Sequence, residues 1–193
     1  VTAEGELFFH PGMAHLRIKN LLLGHGDHLV SALGLTEGMS VLDCTLGTGA
    51  DAIVESFAVG ASGAVTALES NALIAAVIAD GLAHATGDNY DMHAAMRRIT
   101  VHHADALDYL RAQETGRHDV VYFDPMFRHP LKDSVQLAPL RLLAESAPVS
   151  LSAVAEACRV ARRRVVLKEN SRSLEFARLG FSHIAGGKYS PVH

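Results

Sequence analysis

Five short apolar runs, each with an ionisable residue at or just past its end, set the tightest limit on how this chain can fold. Ser40–Cys44, Ala64–Leu68, Ile99–His103, Asp119–Phe123 and Arg164–Leu167 read as buried strands, and Asp43, Glu69, Asp105, Asp124 and Lys168 lie at or just beyond their C-terminal ends. Helical stretches fall between them: Ala50–Ala58, an Asn71-capped segment through Ala83, one from Asp105 through Arg111, and one from Ser150 through Val160. This alternation predicts an α/β fold, a Rossmann-like, doubly wound, mostly parallel sheet with helices on both faces. Ligands of such sheets bind at the C-terminal strand ends, where the five ionisable residues collect. Leu174–Leu179 reads as a short helix. Phe181–Ala185 and Lys188–Val192 around Gly186-Gly187 read as an antiparallel C-terminal hairpin, which brings the expected sheet to seven strands. Residues 1–38 form a helical lead-in that includes a helix over Asp27–Leu33. Residues 126–148, punctuated by Pro130, Pro139 and Pro148, form a loop over the site.

Composition narrows the function classes. A length of 193 residues, 49% of them hydrophobic and 20% charged, fits one well-buried domain spanning the chain. The net charge of -4 excludes bulk attraction to a polyanion, so a nucleic-acid partner has to meet a local basic patch. Arg159 with Arg162, Arg163 and Arg164, Arg97 with Arg98, and Arg17 with Lys19 are the candidates. Cys44 and Cys158 lie in apolar surroundings without a Cys-x-x-Cys spacing, which predicts buried thiols in a reducing compartment. No apolar run reaches the roughly 18 residues of a membrane span and no signal pattern opens the chain, so a cytoplasmic protein without a membrane partner is expected. Among twelve histidines, His102 and His103 are adjacent on a strand and face opposite ways. His25 and His28 lack a third ligand, and no metal is expected.

Gly47-Thr48-Gly49 lets the backbone turn sharply out of a buried strand and approach a ligand closely. With Ala52 it satisfies G-x-G-x-x-A, and Glu69 lies where a ribose-binding acid is expected, so a nicotinamide-dependent oxidoreductase is one reading. Asp43 favours another. A carboxylate just ahead of the glycine turn repels a pyrophosphate but suits the cationic amino-acid end of S-adenosylmethionine. Glu69 can then accept the ribose hydroxyls, and Asp105 the adenine amino hydrogens. Asp124-Pro125-Met126-Phe127, directly after Val120–Phe123, resembles the Asp/Asn-Pro-Pro-Tyr/Phe loop of amino-group methyltransferases. In such a loop Asp124 and the Pro125 carbonyl accept the N–H bonds of a planar amine while Phe127 stacks on its ring. Catalysis comes mainly from proximity, with Asp124 orienting before it acts as a base.

With those residues the chain is similar, in blocks from Gly12 to Lys168, to the bacterial small-subunit ribosomal RNA guanine-N2 methyltransferases and their uncharacterised relatives. Thr45–Ala52 looks like their Thr-x-Gly-x-Gly-x-Asp-Ala segment. Leu68-Glu69-x-Asn71 with Asp80-Gly81-Leu82 looks like their second block, Val120–Phe127 like their most distinctive segment, and Arg164–Lys168 like their fifth strand. The resemblance implies methyl transfer from S-adenosylmethionine, with S-adenosylhomocysteine as product, to guanine N2 of ribosomal RNA, free or in the small subunit. It implies Asp124, Pro125 and Phe127 as catalytic residues. It implies Asp43, Thr45, Gly47, Gly49, Asp51, Glu69, Ser70, Asp105, Ala106 and Asp124 around the cofactor, and Arg17, Met126, Arg128, Lys132 and Lys168 toward the substrate. Ala50 stands where that family has an arginine, and Arg128-His129-Pro130-Leu131-Lys132 departs from its continuation. An acceptor in DNA, protein or a small molecule therefore remains a reading, as does a module that binds the cofactor without transfer.

Overall fold

A computed structural model describes residues 7–125, 148–170, 173–183, 185–187 and 190–192. Its centre is a parallel sheet of β1 (Ser40–Asp43), β2 (Ala64–Glu69), β3 (Ile99–His103), β4 (His118–Phe123) and β5 (Ala161–Leu167), in the order β3-β2-β1-β4-β5. Around it lie α1 (Ala14–Leu22), α2 (His28–Leu33), α3 (Ala50–Val59), α4 (Ala72–His84), α5 (Tyr90–Met96), α6 (Ala106–Ala112), α7 (Leu151–Val160) and α8 (Glu175–Leu179). This is the Rossmann-like arrangement expected from the alternating runs.

The strands are apolar on both faces because both faces are covered. Val41, Val65, Ala67, Val120, Tyr122 and Val166 join one core with side chains such as Ile18, Ile53 and Ile78 of α1, α3 and α4. Their neighbours Leu42, Leu68, Val121, Phe123 and Leu167 join a second core with Leu110, Ala157 and Phe176 of α6, α7 and α8. Side-chain caps start several helices where the sequence places them. Asn71 accepts from the N–H groups of Leu73 and Ile74, Asp105 from Asp108, and Ser150 from Ala153.

The structure corrects several expectations. The sheet has five strands, not seven: β6 (Ala185–Gly187) and β7 (Ser190–Val192) pair antiparallel with each other as a separate two-stranded ladder. Strands of three residues present few backbone groups to a sheet edge, and Pro191 removes one donor. Gly186 and Gly187 fall inside β6 rather than between the strands. The ladder of β5 begins at Ala161, ahead of the apolar run, because an edge strand tolerates the exposed charges of Arg162, Arg163 and Arg164. Cys44 is buried as expected, whereas Cys158 is exposed on α7. Helices α1 and α5 are not among the helices that the sequence pattern predicts singly. Met13 gives α1 no side-chain cap, while Asn89 caps α5 through the Met92 N–H, a signal that was available. The 126–148 loop lies outside the described residues except for Pro148, and Met126, Phe127, Arg128 and Lys132 lie outside with it.

Gly49 ends the turn from β1 into α3 at φ +79°, and a Cβ there would sit 3.2 Å from Ile78 Cγ2. Gly49→Ala is expected to lower unfolding stability by about 1–2 kcal/mol, the cost of placing an L-residue in the left-handed region. Urea unfolding of the two proteins measures this directly.

Candidate active site

Strands β1 and β4 are neighbours, yet the chain leaves β1 toward β2 and leaves β4 toward β5, so a crevice opens beyond their C-terminal ends. A cleft of about 260 Å³ occupies that place. Thr45 and Gly47 enter it after β1, Glu69 and Ser70 at and after β2, Asp105 and Ala106 after β3, and Asp124 with Pro125 after β4. Leu68, Ile74, Leu107, Phe123 and Ala153 supply apolar wall, and Pro148, Val149 and Ser150 form a rim ahead of α7. Pro148 is the last residue of the loop expected over the site, and Val149, Ser150 and Ala153 continue the wall into α7.

Three carboxyl side chains and no lysine, arginine or histidine occur among the described lining residues. Such a lining repels a pyrophosphate and attracts a cationic ligand. Glu69 is 8% exposed, and its two oxygens accept from Gly47 N at 3.2 Å and Asn71 N at 2.9 Å. As a carboxylate it keeps acceptor capacity on both oxygens for a pair of hydroxyls while bracing the glycine turn. Asp105 caps α6 through Asp108 N at 3.0 Å. The acceptors, the apolar wall and the negative charge fit the nucleoside and sulfonium parts of S-adenosylmethionine.

Other residues singled out in the sequence lie behind this surface. Asp43, Gly49 and Asp51 are not among the lining residues. Asp43 is 1% exposed and accepts through Oδ1 from the N–H and hydroxyl of Thr45, at 2.9 and 3.2 Å. Burial pushes its carboxyl up to about 7 despite those bonds, and Asp51 and Asp124 add to the rise. The Thr45 hydroxyl also accepts from Asp124 N at 2.6 Å, which ties the end of β1 to the end of β4. Asp51 accepts from Tyr122 Oη at 2.9 Å and Lys168 Nζ at 2.8 Å, and is paired with Arg17. Burial would raise its carboxyl, but Lys168 and Arg17 outweigh it and hold it at about 2. Lys168 Nζ lies 2.8 Å from Asp124 Oδ2 as well. The guanidinium of Arg17 also holds Asp27, at 2.7 and 2.9 Å. Thus the structure joins Asp124, Lys168, Asp51 and Arg17 in one ionic chain and sets Glu69 and Asp105 apart across the cleft.

The basic clusters do not frame the cleft. Arg159 binds Glu156 and the carbonyls of Leu110 and Gln113, Arg162 and Arg163 pair with Asp119, and Arg164 donates to the Ala32 carbonyl. Arg97 and Arg98 donate to the carbonyls of His93, Ala85 and Ser56. His102 faces Tyr109, with ring centroids 5.5 Å apart, while His103 Nε2 lies 3.0 Å from the Ser70 carbonyl. Among the described residues no cluster of three His, Cys, Asp or Glu could hold a metal ion, and no helix is long and apolar enough to cross a membrane.

Glu55, one turn beyond Asp51 on α3, is wholly buried with neither carboxyl oxygen bonded among the described residues. Burial raises its carboxyl well above the usual range, reinforced by Asp43 and Asp51 and opposed by Arg17 and Lys168. A raised folded-state value means that the folded form binds more protons, so this group's share of stability falls as pH climbs above the ordinary glutamate range. Glu55→Gln is expected to flatten the decline in urea midpoint between about pH 5 and 8. An unchanged slope would mean that Glu55 does not titrate there.

The chain matches a SAM-dependent methyltransferase family model over residues 6–188. It is 42% identical over 182 residues to the uncharacterized protein YpiP of Bacillus subtilis, covering 94% of this chain and 71% of that one. It is 36% identical over 171 residues to the ribosomal RNA small subunit methyltransferase J of Thioalkalivibrio sulfidiphilus, covering 84% of this chain. The chain spans 64% of the length of that relative. Among solved structures, a SAM-dependent methyltransferase from Neisseria gonorrhoeae shares the fold with a TM-score of 0.70 at 22% identity, covering 100% of this chain and 75% of that one.

Proposed function

From the premise that this chain belongs to the S-adenosylmethionine-dependent methyltransferase family, we propose that it methylates a nitrogen of structured RNA, guanine N2 of small-subunit ribosomal RNA. Family membership removes the nicotinamide reading. The observation that carries the proposal is the position of Asp124-Pro125 on the wall of the acid-lined cleft, at the switch point of the sheet. The relatives named as small-subunit ribosomal RNA methyltransferases support the choice of RNA.

The proposed division of labour follows the strand ends. Glu69 would receive the cofactor's ribose hydroxyls and Asp105 its adenine edge. The backbone at Gly47, with Thr45, Ser70 and Ala106, shapes the cofactor's bed. The bound cofactor supplies an electrophilic methyl on a sulfonium. Asp43, Gly49 and Asp51 act from behind, holding the glycine turn and the charge balance. Asp124 and the Pro125 carbonyl accept the N–H bonds of the flipped base and aim its nitrogen, and Phe127 stacks on the ring. Asp124, or water beside it, would take the amine proton as the nitrogen receives the methyl that the cofactor would supply. Met126, Arg128 and Lys132 are assigned to the base and phosphates.

Two measurements test this. Nucleoside mass spectrometry of ribosomal RNA from cells lacking the protein is expected to show loss of N2-methylguanosine at a small-subunit position, restored by wild type and not by Asp124→Ala. An unchanged profile refutes the RNA substrate. Asp124→Ala should also abolish transfer in vitro while cofactor affinity, read by calorimetry, stays within about threefold; loss of both together overturns the assigned roles.

A further inference from the structure

We propose that Lys168 is a positioning residue for methyl transfer rather than a contact to the substrate, its ammonium bridging Asp51 Oδ2 and Asp124 Oδ2 at 2.8 Å each. This rests on the reading that Asp124 orients the acceptor amine. The backbone sets up the bridge: Lys168 N donates to the Phe123 carbonyl at 2.8 Å, which extends the β4·β5 ladder one residue past Leu167 and places Lys168 beside Asp124. The far anchor is rigid as well, since Asp51 is held by Tyr122 Oη and by Arg17, itself fixed to the α2 cap Asp27.

An ammonium shared between two half-buried carboxylates is poorly placed to receive an RNA phosphate, because a third anion would have to displace one of them. The bridge instead does two things for Asp124. It commits Oδ2 to Lys168 and leaves Oδ1, which has no donor among the described residues, for the amine. It also favours the ionised form. Asp124 faces Asp51 from α3, Lys168 and Glu169 after β5, and Asp43 at the end of β1. Burial raises its carboxyl, Lys168 opposes the rise, and Asp51 and Glu169 add to it. Without the ammonium, Asp124 is a half-buried acid beside other acids, and its protonated form offers a donor where the amine needs an acceptor.

The test combines kinetics with a titration that needs no substrate. In Lys168→Met, single-turnover methyl transfer is expected to fall about 10–100-fold, with cofactor Kd and acceptor KM within about threefold. The acid limb of its pH–rate profile should move up by about one unit or more, and Lys168→Arg should bring that limb back. Carbon-13 NMR of labelled aspartates, with the Asp124 signal assigned through Asp124→Asn, should show the same upward move. Lys168→Gln gives the same readouts if Lys168→Met does not fold. A rise in acceptor KM at unchanged kcat overturns the proposal in favour of substrate contact. An unmoved pH limb and Asp124 titration overturn it outright. If wild type methylates no ribosomal RNA but the Asp124 titration moves with Lys168, the positioning role stands and the RNA assignment falls.

Discussion

The adjacency of β1 and β4, with the chain running to opposite edges of the sheet from them, is the constraint on which the site depends. It alone brings Thr45, just ahead of the Gly47–Gly49 turn, within reach of Asp124 across 79 residues of sequence, and the Thr45 hydroxyl accepts from Asp124 N at 2.6 Å. A parallel sheet buried on both faces cannot easily shift one strand relative to its neighbour, because a slip of one residue would turn every side chain of Val41, Leu42, Val120 and Val121 to the wrong core. Packing deep in the sheet therefore sets the position of the cleft residues at its rim.

Electrostatics gives the site its character. Asp43, Asp51, Glu55 and Asp124 gather behind or beside the cleft, with Lys168 paired to Asp51 and Asp124 and Arg17 paired to Asp51. Two buried and two half-buried carboxyl groups share two cations, and the groups divide accordingly. Asp51, which holds both cations and a tyrosine hydroxyl, stays charged, while burial drives Asp43 and Glu55 toward their neutral forms. The lining that faces the ligand keeps an excess of acids, and a cationic cofactor complements that field where a pyrophosphate would oppose it.

Much of this was legible in the sequence because strand ends, caps and glycine turns are local signals. Asn71 and Ser150 act as caps, and Thr45, Gly47, Glu69, Ser70, Asp105, Ala106, Asp124 and Pro125 meet in one cleft. What was not legible involved pairing partners. The five-stranded limit of the sheet depends on whether a short Gly- and Pro-bearing pair can bond to an edge, which its own pattern does not reveal. The basic runs are candidate polyanion patches by sequence, yet Arg159 binds Glu156 and backbone carbonyls, Arg164 donates to the Ala32 carbonyl, and Arg162 and Arg163 pair with Asp119.

The sequence by itself determined the alternation of strands and helices, the strand-end acids and the Asp124-Pro125 loop, since periodicity and turn chemistry act over a few residues. Only the tertiary structure decided that Asp51 and Lys168, 117 residues apart, form one ionic bridge, and that Asp43 lies behind the cleft rather than in it. Ionic partnership and burial depend on which distant segments share a dry space, and no spacing along the chain encodes that distance.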